Sequence, residues 1–337
     1  MNYLICGVDV SQHQLDVAYR TETEATFLGT FENSPSGIEA LGRALRTHQR
    51  KIGAQTVWLI VEPTGGYEQR LVRFALQAGW RVSLPNPYQV RQWAKGCGIR
   101  AKTDPHDAIL LTRYGAAQKP PTFTPPSEEI ELLENLLARL TNLETMLRQE
   151  KNRQQAAQKK PTRSAASEAS LEQSIAFLEQ QIEGMKQAIA EHVASHPTLL
   201  ERKKQLLSVP GVGQKNVCFL LVLLSRFAQM TDGNGTSKSL TAYVGLDPVP
   251  YQSGTSVYKR PRISRQGSGQ MRHYLFLGAL GGVRGNNPLR DFYHRLVGRG
   301  KAKKVALIAA ARKILVWSWA IFQQQTYFDA ARLSTDA

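Results

Sequence analysis

YLICGVDV, residues 3–10, is the stretch that decides the fold, and it carries one acid, Asp9, near its carboxyl end. It is short, continuously apolar and bounded by polar residues. Such a run is typical of a strand that is buried on both faces of a sheet. We therefore predict that residues 3–10 form the first and central strand of an α/β domain.

Strand and helix signals alternate beyond this stretch. The β-type segments that follow are LDVAYR (15–20), ATFLGTF (25–31), TVWLIVE (56–62) and WRVSLP (80–85). Helices are expected near residues 36–48, 67–78, 87–95 and 105–116. Hairpin strands followed by alternating helices and strands predict a mixed sheet with helices on its faces. That order matches an RNase H-like (RuvC-like) layout.

Four acids of this region are candidates for a common site. Asp9 and Glu62 each lie near the end of a predicted buried strand, where α/β sheets gather functional residues. Asp104 and Asp107 open the helix that begins in AKTDPHDAILL, one turn apart on the same face. Asp104 before Pro105 is also an ordinary helix start. Two acids at this spacing nevertheless repel each other unless a cation lies between them.

The four acids together predict a metal site. Converging carboxylates without a cation would raise one another's pKa and destabilise the fold. Oxygen ligands suit Mg²⁺ or Mn²⁺, and two such ions can flank a phosphate oxygen during in-line displacement. Two further acids are poorer candidates, because the facing of Asp16 in its strand is ambiguous and Glu68 is expected to begin an exposed helix.

The positive charge is concentrated in the last quarter of the chain. The whole sequence has 43 Lys and Arg against 27 Asp and Glu, a net charge of +16. Residues 251–337 alone have 15 against 3, a net charge of +12. An excess so localised indicates a polyanionic partner, most often nucleic acid. The plain alternative is a basic surface that only keeps the protein soluble.

Three further features bear on the compartment. The cysteines, Cys6, Cys97 and Cys218, form no CxxC pair, which argues against a zinc site or a disulfide framework. The N-terminus has no basic n-region, so no signal peptide is expected. The apolar stretch VALIAAARKILVWSWAIF has Arg312 and Lys313 at its centre and is predicted to be a core helix. We expect a cytoplasmic protein that acts at the nucleoid.

The middle of the chain predicts a helical linker. QKPPTFTPP, residues 118–126, is a Pro-rich break typical of a domain boundary. Two apolar seams with alternating spacings of three and four follow, which is the pattern of a coiled coil. Their residues are Leu133, Leu136, Leu140, Leu143 and Leu147, then Ile175, Leu178, Ile182, Met185 and Ile189. Residues 127–197 are thus expected to form an antiparallel hairpin, which either spaces two domains or associates with a second copy.

A third region follows Pro197. LLSVPGVGQKNVCFLL, residues 206–221, has the pattern of a helix-hairpin-helix. The amides of Gly211 and Gly213, with the next helix N-terminus, can hold a phosphate. A tight turn without a ligand is the alternative. The stretch that follows is expected to be loop-rich and basic, with helices resuming near residue 270.

Several motifs resemble one family of proteins. GVDVSQHQLDVA, VEPTGGYEQRLVRFALQAGWRVSLPNP and IRAKTDPHDAILL resemble the N-terminal DEDD domain of a bacterial insertion-sequence transposase family, spoken of as "IS one-ten". LLSVPGVGQKNV, LTAYVGLDPVPYQSGTSV and GSGQMRHYLFLGAL resemble its C-terminal transposase domain. The resemblance runs over nearly the whole chain in the expected order.

This resemblance implies how the chain divides into domains and which residues carry out the reaction. Residues 1–117 would be a RuvC-like catalytic domain, 127–197 the coiled-coil linker, and 198–337 a mostly α-helical domain with a nucleophilic serine. Asp9, Glu62, Asp104 and Asp107 would be the metal-binding acids, and Ser253 the nucleophile. A non-coding bridge RNA would pair with donor and target DNA. The protein would act as a homo-oligomer, a dimer or on DNA a tetramer, with sites composed from two subunits.

The residues around Ser253 support that role less strongly. QSGTSVYKR offers three hydroxyls around Gly254, and such a stretch is also an ordinary turn. A serine that attacks a DNA phosphate forms an ester that conserves bond energy for rejoining. The neighbouring cations suit phosphate contacts and are predicted to bind nucleic acid. They are Lys259, Arg260, Arg262, Arg265 and Arg272.

Three functions are compatible with the residues. The favoured one is an RNA-guided DNA recombinase in which Ser253 attacks and the four acids hold Mg²⁺ or Mn²⁺. The second is a RuvC-like structure-selective nuclease with the same acids, in which water attacks. The third is a non-catalytic nucleic-acid-binding assembly protein, in which the acids are helix caps and surface charges.

Overall fold

A computed structural model describes residues 3–20, 24–99, 104–253 and 257–331. The chain divides into two compact units, residues 1–125 and 126–337. The break falls at the end of the Pro-rich segment that the sequence marked as a boundary. The division into three domains stays a prediction.

The first unit is a mixed sheet covered by helices. Its elements are β1 (Tyr3–Val10), β2 (Gln14–Arg20), β3 (Ala25–Glu32), α1 (Pro35–Lys51), β4 (Thr56–Val61), α2 (Gln69–Gln77), β5 (Arg81–Ser83), α3 (Pro87–Gly96) and α4 (Asp104–Gln118). The strand order is β3-β2-β1-β4-β5. β1 pairs antiparallel with β2 and parallel with β4. The predicted mixed sheet with β1 at its centre is confirmed.

Two cores flank this sheet, one on each face. Leu4, Cys6 and Val8 of β1 pack with the buried residues of α1 and α2. Trp58 and Ile60 of β4 pack on the other face with side chains of α3 and α4. Because strand side chains alternate between faces, an apolar residue at nearly every position requires cover on both sides. This explains why β1 and β4 have almost no polar residue before their carboxyl ends.

The second unit is mainly helical. Its elements are α5 (Glu128–Gln158), α6 (Ala165–Ala194), α7 (Pro197–Leu207), α8 (Val217–Met230), α9 (Ser237–Val244), β6 (Pro248–Ser253), β7 (Val257–Ile263), α10 (Gly269–Gly282), α11 (Pro288–Gly298) and α12 (Lys303–Gln324). α5 and α6 run antiparallel, since Lys151 pairs with Glu179 while His192 contacts the Glu129 carbonyl. Their apolar seams belong to one core with α7, α8, α10 and α12.

Part of the second unit differs from the sequence expectation. The stretch from residue 240 to about 270, expected to be loop-rich, contains most of the short helix α9 and the antiparallel hairpin β6–β7. Pro248, Pro250 and Pro261 lie within the two strands, and proline is rare in strands because it cannot donate to a ladder. A two-stranded hairpin has two edges that tolerate it. These prolines are therefore the reason why the sequence pattern did not predict the hairpin.

α12 is long and apolar enough to cross a membrane by composition, with a mean hydropathy of 1.7 over its best window. Within the described part of the chain it is the one helix that passes this test. Ala310, Ile314 and Trp319 are buried in the core of the second unit. The packing is that of the core helix the sequence predicted.

Candidate active site

Asp9 lies at the carboxyl end of β1, on the face that α4 covers. Leu4, Cys6 and Val8 belong to the core on the opposite face. Gly7 contacts α4 directly. Because successive side chains alternate, Asp9 shares the face of Gly7. Its side chain is half-buried at the edge of the sheet.

Glu62 follows β4 and is the neighbour of Asp9 across the sheet. β1 and β4 pair in parallel with Val8 opposite Val61, so the next residue of each strand is an acid. Ile60 packs on the α4 face, and alternation assigns Glu62 to that face. Neighbouring strands lie about 4.8 Å apart, which brings both carboxylates within reach of one cation.

Helix α4 lies close to the backbone of β1 at Gly7. The Gly7 amide donates to Thr112 Oγ1 at 2.8 Å. A Cβ at Gly7 would lie 2.2 Å from the Ala108 carbonyl oxygen. Further along, a Cβ at Gly115 would lie 2.4 Å from a side-chain carbon of Ile60. Small residues at both contacts fix the helix against the sheet.

These contacts set the direction of α4. Gly115 lies near Ile5, and the Ala108–Thr112 turn lies over Gly7. Two strand residues span roughly 6.6 Å, which is about four residues of helix. The same distance again, from Gly7 to Asp9 along β1, brings the first turn of α4 toward Asp9. That turn contains Asp107, which is half-buried, and Asp104, whose side chain lies outside the described residues.

The donor set fits a hard divalent cation. Carboxylate oxygens are the ligands that Mg²⁺ and Mn²⁺ prefer. Among the described side chains, which do not include Asp104, no three acidic, histidine or cysteine groups form a set ready to hold a metal ion. The four-acid metal site therefore stays a prediction, supported by the shared face and register of Asp9 and Glu62.

A further acid lies on the same face. Asp16 of β2 is the direct partner of Asp9 in the antiparallel pair. Leu15 and Val17 are buried on the opposite face, so Asp16 points the same way as Asp9. Its Oδ1 accepts a hydrogen bond of 2.5 Å from Thr30 Oγ1 on β3. The apolar neighbours of Asp16 are the sequence signal that resolves its facing.

Glu68 shapes the loop after Glu62. Glu68 begins helix α2 as expected, since it is the N-cap, but its side chain is buried, with 9% of it exposed. Its Oε2 accepts from the amides of Thr64 and Gly66, both at 3.0 Å. Thr64 Oγ1 in turn donates to the Glu62 carbonyl at 3.0 Å. Glu68 is thus a structural acid that holds the turn behind Glu62.

Ser253 is the last residue of β6, paired with Val257 of β7. Its backbone lies at the distal end of the hairpin. The intervening residues 254–256 and the side chains of Ser253, Lys259 and Arg260 lie outside the described residues.

The base of this hairpin is tightly closed. Gly245, before β6, and Gly267, after β7, both have positive φ. A Cβ at either glycine would lie about 2 Å from a carbonyl oxygen of the segment that contains the other glycine. Ser264 donates its amide to the Asp247 carbonyl at 3.0 Å and its hydroxyl to the Asp247 carboxylate. The hairpin therefore leaves the unit in a defined direction.

Arg272 belongs to this base. Its Nη1 donates to the carbonyls of Val244 (2.9 Å), Gly267 (3.1 Å) and Gln266 (3.4 Å). Burial, and then the charge of Arg265, lowers the pKa of Arg272 below its ordinary value. Its prediction as a nucleic-acid contact is untested, and the observed contacts are structural.

Of the remaining predicted cations with a described side chain, Arg262 and Arg265 are exposed. Arg265 has a left-handed backbone with φ of 57° at the hairpin base. Exposure leaves both guanidinium groups open to a phosphate. Their role in nucleic-acid binding stays a prediction.

The glycine turn between α7 and α8 is occupied by internal contacts. The Gly213 amide donates to Asn216 Oδ1 at 2.7 Å. A Cβ at Gly211 would lie 2.5 Å from Ile314 and 2.9 Å from the Gly278 carbonyl oxygen. Close helix packing therefore explains why Gly211 is a glycine. The predicted phosphate contact at these glycines stays a prediction.

The mixed sheet, the acids at its carboxyl edge and the basic second unit define a class of protein. They are typical of an enzyme that acts on the phosphates of nucleic acid.

Comparison with known families makes the assignment specific. A transposase model of the DEDD IS110 type matches residues 6–159. A second model, described as Transposase IS116/IS110/IS902 family, matches residues 203–294. The chain belongs to this transposase family and is a DNA recombinase, as the motif resemblance predicted. Family membership also indicates dependence on a divalent metal.

Two relatives match over their whole length. A pilin gene-inverting protein of Moraxella lacunata is 32% identical over 98% of both chains. The pilin gene-inverting protein of Moraxella bovis is likewise 32% identical over 98% of both chains. A solved structure of T. thermophilus RuvC in complex with Holliday junction substrate covers 34% of this chain and 96% of its own. It is 19% identical with a TM-score of 0.25, which is too low to support an argument.

Proposed function

We propose that this transposase is an RNA-guided DNA recombinase in which Ser253 is the nucleophile. The observation that carries the proposal is the register of Asp9 and Glu62, adjacent acids on one face at the carboxyl edge. The guide RNA rests on the family resemblance alone. It would be a non-coding bridge RNA that pairs with donor and target DNA.

The proposed reaction is a transesterification. A bond forms between Ser253 Oγ and the phosphorus of a DNA phosphodiester, and the bond from phosphorus to one deoxyribose oxygen breaks. The serine proton passes to a base at the site, and the departing oxygen takes up a proton. The serine ester conserves bond energy, so attack by a second deoxyribose hydroxyl rejoins the strand and frees Ser253.

Asp9, Glu62, Asp104 and Asp107 would hold Mg²⁺ or Mn²⁺. A bound divalent ion supplies Lewis-acid stabilisation of the charge that develops on the phosphoryl oxygens. The acids would position the scissile phosphate through the ion, whose positive charge would offset their mutual repulsion. Asp16 would add negative potential beside Asp9, and Thr30 would keep it oriented.

The partners follow from charge and from the family. The cations of residues 251–337 would contact DNA phosphates, which makes binding weaken with salt. The protein would act in the cytoplasm at the nucleoid. It would assemble as a dimer or, on DNA, a tetramer, with the serine and the acids of one site coming from two subunits.

The direct test is a search for the serine ester. The full-length protein is incubated with element RNA, labelled donor DNA and Mg²⁺, then denatured and separated by size. The wild type is expected to give a covalent protein–DNA species that Ser253→Ala and Asp9→Asn abolish. Ser256→Ala, a hydroxyl in the same loop, is the matched control and should retain it.

Different products distinguish the alternatives. Free 5′-phosphate and 3′-hydroxyl ends without an adduct would show that water attacks and that Ser253 is a bystander. An adduct that persists in Ser253→Ala would refute the serine assignment. An adduct that forms equally without RNA would refute guidance and leave the chemistry intact.

A further inference from the structure

A second feature of the first unit lies near the carboxyl edge of the sheet, on the face opposite α4. A groove of about 650 Å³ runs between the beginnings of α1 and α2. A cavity of this size is in the range that holds a drug-sized molecule, or roughly one to two nucleotides. Asp9, Glu62 and Asp107, the three predicted metal acids with described side chains, do not line it.

The groove carries unpaired positive charge. Arg70 and Arg73, one turn apart on α2, line it and are exposed. Within the described residues neither guanidinium forms an ion pair with a carboxylate. The one acid in the lining, Glu39, pairs instead with Arg43 along α1. Arg70 Nη1 donates to the Asn33 carbonyl at 3.4 Å, which leaves the other N–H groups of that guanidinium for a phosphate. Two guanidinium groups at this spacing suit two phosphates of one strand.

The same groove offers contacts for bases. Tyr67 lines it with 47% of its surface exposed, although a tyrosine normally buries most of its ring. Exposed aromatic rings stack on the bases of single strands, whatever the sequence. The amides of Gln12, Gln69 and Gln77 complete the lining with donors and acceptors. Rings, amides and guanidinium groups together describe a site for a single strand.

One end of the groove is built from the loops that follow the acids. Gln12 comes three residues after Asp9, and Tyr67 comes five residues after Glu62. Asn33 ties these two loops together, since its Nδ2 donates to the carbonyls of Ser11 (2.9 Å) and Tyr67 (3.1 Å). Three residues span at most about 10 Å, which is roughly the rise of three stacked nucleotides.

We propose that this groove binds a single-stranded segment of the substrate DNA, a few nucleotides from the phosphate held at the acids. Arg70 and Arg73 contact its phosphates, and Tyr67 stacks on a base. The position relative to the scissile phosphate rests on the proposed function. Binding of a single strand does not, because it depends only on the groove.

Binding of a fluorescent oligothymidylate to the full-length protein tests the groove. Fluorescence anisotropy at increasing salt gives the slope of log K against log salt. Arg70→Ala/Arg73→Ala is expected to reduce that slope by about 1.4, the loss of two phosphate contacts on a single strand. Arg91→Ala/Lys95→Ala, two exposed cations on α3, is the matched control and should leave the slope unchanged.

Stacking is tested separately at Tyr67. Tyr67→Leu is expected to weaken binding about tenfold, while Tyr67→Phe keeps the wild-type affinity. A strand with bromodeoxyuridine should crosslink to the tryptic peptide 52–70, which contains Tyr67. Asp9→Ala should keep this crosslink while it loses the covalent adduct, which separates the groove from the chemistry.

Three results would overturn the proposal. The first is a wild-type salt slope in Arg70→Ala/Arg73→Ala. The second is a crosslink found only in other peptides. The third is a loss of oligouridylate binding in the groove variants with DNA binding unchanged, which would make the occupant RNA.

Discussion

At Gly7 the central strand and α4 meet backbone to backbone, and this single residue sets the height of the helix above Asp9. A methyl group there would lie 2.2 Å from one carbonyl oxygen and 2.5 Å from the Thr112 amide nitrogen. Backbone atoms in a helix cannot yield locally, so the whole of α4 would have to lift. Lifting α4 moves Asp107 away from the edge that carries Asp9 and Glu62.

Gly7→Ala is therefore expected to destabilise the protein and to impair metal-dependent activity. Overpacking of this kind costs about 1–3 kcal/mol. Thermal unfolding gives the loss of stability, and the Mg²⁺ concentration needed for half-maximal adduct formation should rise. Gly96→Ala is the control, because a Cβ at Gly96 near the end of α3 meets nothing within 4 Å. A Gly7→Ala protein with wild-type stability would contradict the close contact.

Glu68 makes a second residue-scale prediction. Glu68→Ala leaves the amides of Thr64 and Gly66 without their acceptor, and we expect a loss of about 2 kcal/mol. Glu68→Gln keeps one acceptor oxygen in place and should lose less. Both variants should need more Mg²⁺, because the turn that orients Glu62 is loosened. Equal stability of the Ala and Gln variants in thermal unfolding would argue against the two hydrogen bonds.

Among the elements, the β6–β7 hairpin depends most on a single side chain outside itself. Arg272→Lys shortens the side chain by one bond, so its ammonium falls short of the three carbonyls to which Nη1 donates. We expect faster trypsin cleavage after Lys259 and a slower rate of adduct formation, with little change in the melting temperature. Arg290→Lys, the same change at an exposed arginine of α11, is the control. Unchanged cleavage and adduct rates would show that Arg272 does not hold the hairpin.

Most elements of the first unit could be predicted from apolar patterning. The observed β1 matches the opening stretch residue for residue, and α1 and α4 lie within three residues of their expected bounds. Patterning worked because each element buries an apolar face against the sheet. It failed for the β6–β7 hairpin, whose strands contain prolines and lack a regular apolar alternation.

The site was predictable in its residues and less so in its geometry. Asp9 and Glu62 follow apolar runs, which is a signal within one segment. The apolar neighbours of Asp16 indicate its facing, but its pairing with Asp9 has no local signal, and the burial of Glu68 depends on the path of a loop. Pairing and loop paths join residues distant in sequence, so no local pattern contains them. Whether Asp104 and Ser253 complete the site stays a prediction.

At the scale of the whole molecule, the acids and the serine lie in different compact units, residues 1–125 and 126–337. A reaction that needs both can draw them from one chain or from two. The family resemblance implies two. Mixing inactive variants decides between these arrangements without any assumption about how the units are placed.

We expect Asp9→Ala and Ser253→Ala to be inactive alone and to recover adduct formation when mixed and allowed to exchange subunits. In a dimer with sites composed from two subunits, half of the randomly assorted dimers are mixed, and each has one intact site. Recovery should therefore approach about one quarter of the wild-type level. Asp9→Ala mixed with the double variant Asp9→Ala/Ser253→Ala is the control and should recover nothing, since no protomer then contributes an intact set of acids. If differently tagged variants co-purify and still form no adduct, each subunit uses its own serine and acids, and the composite site is wrong.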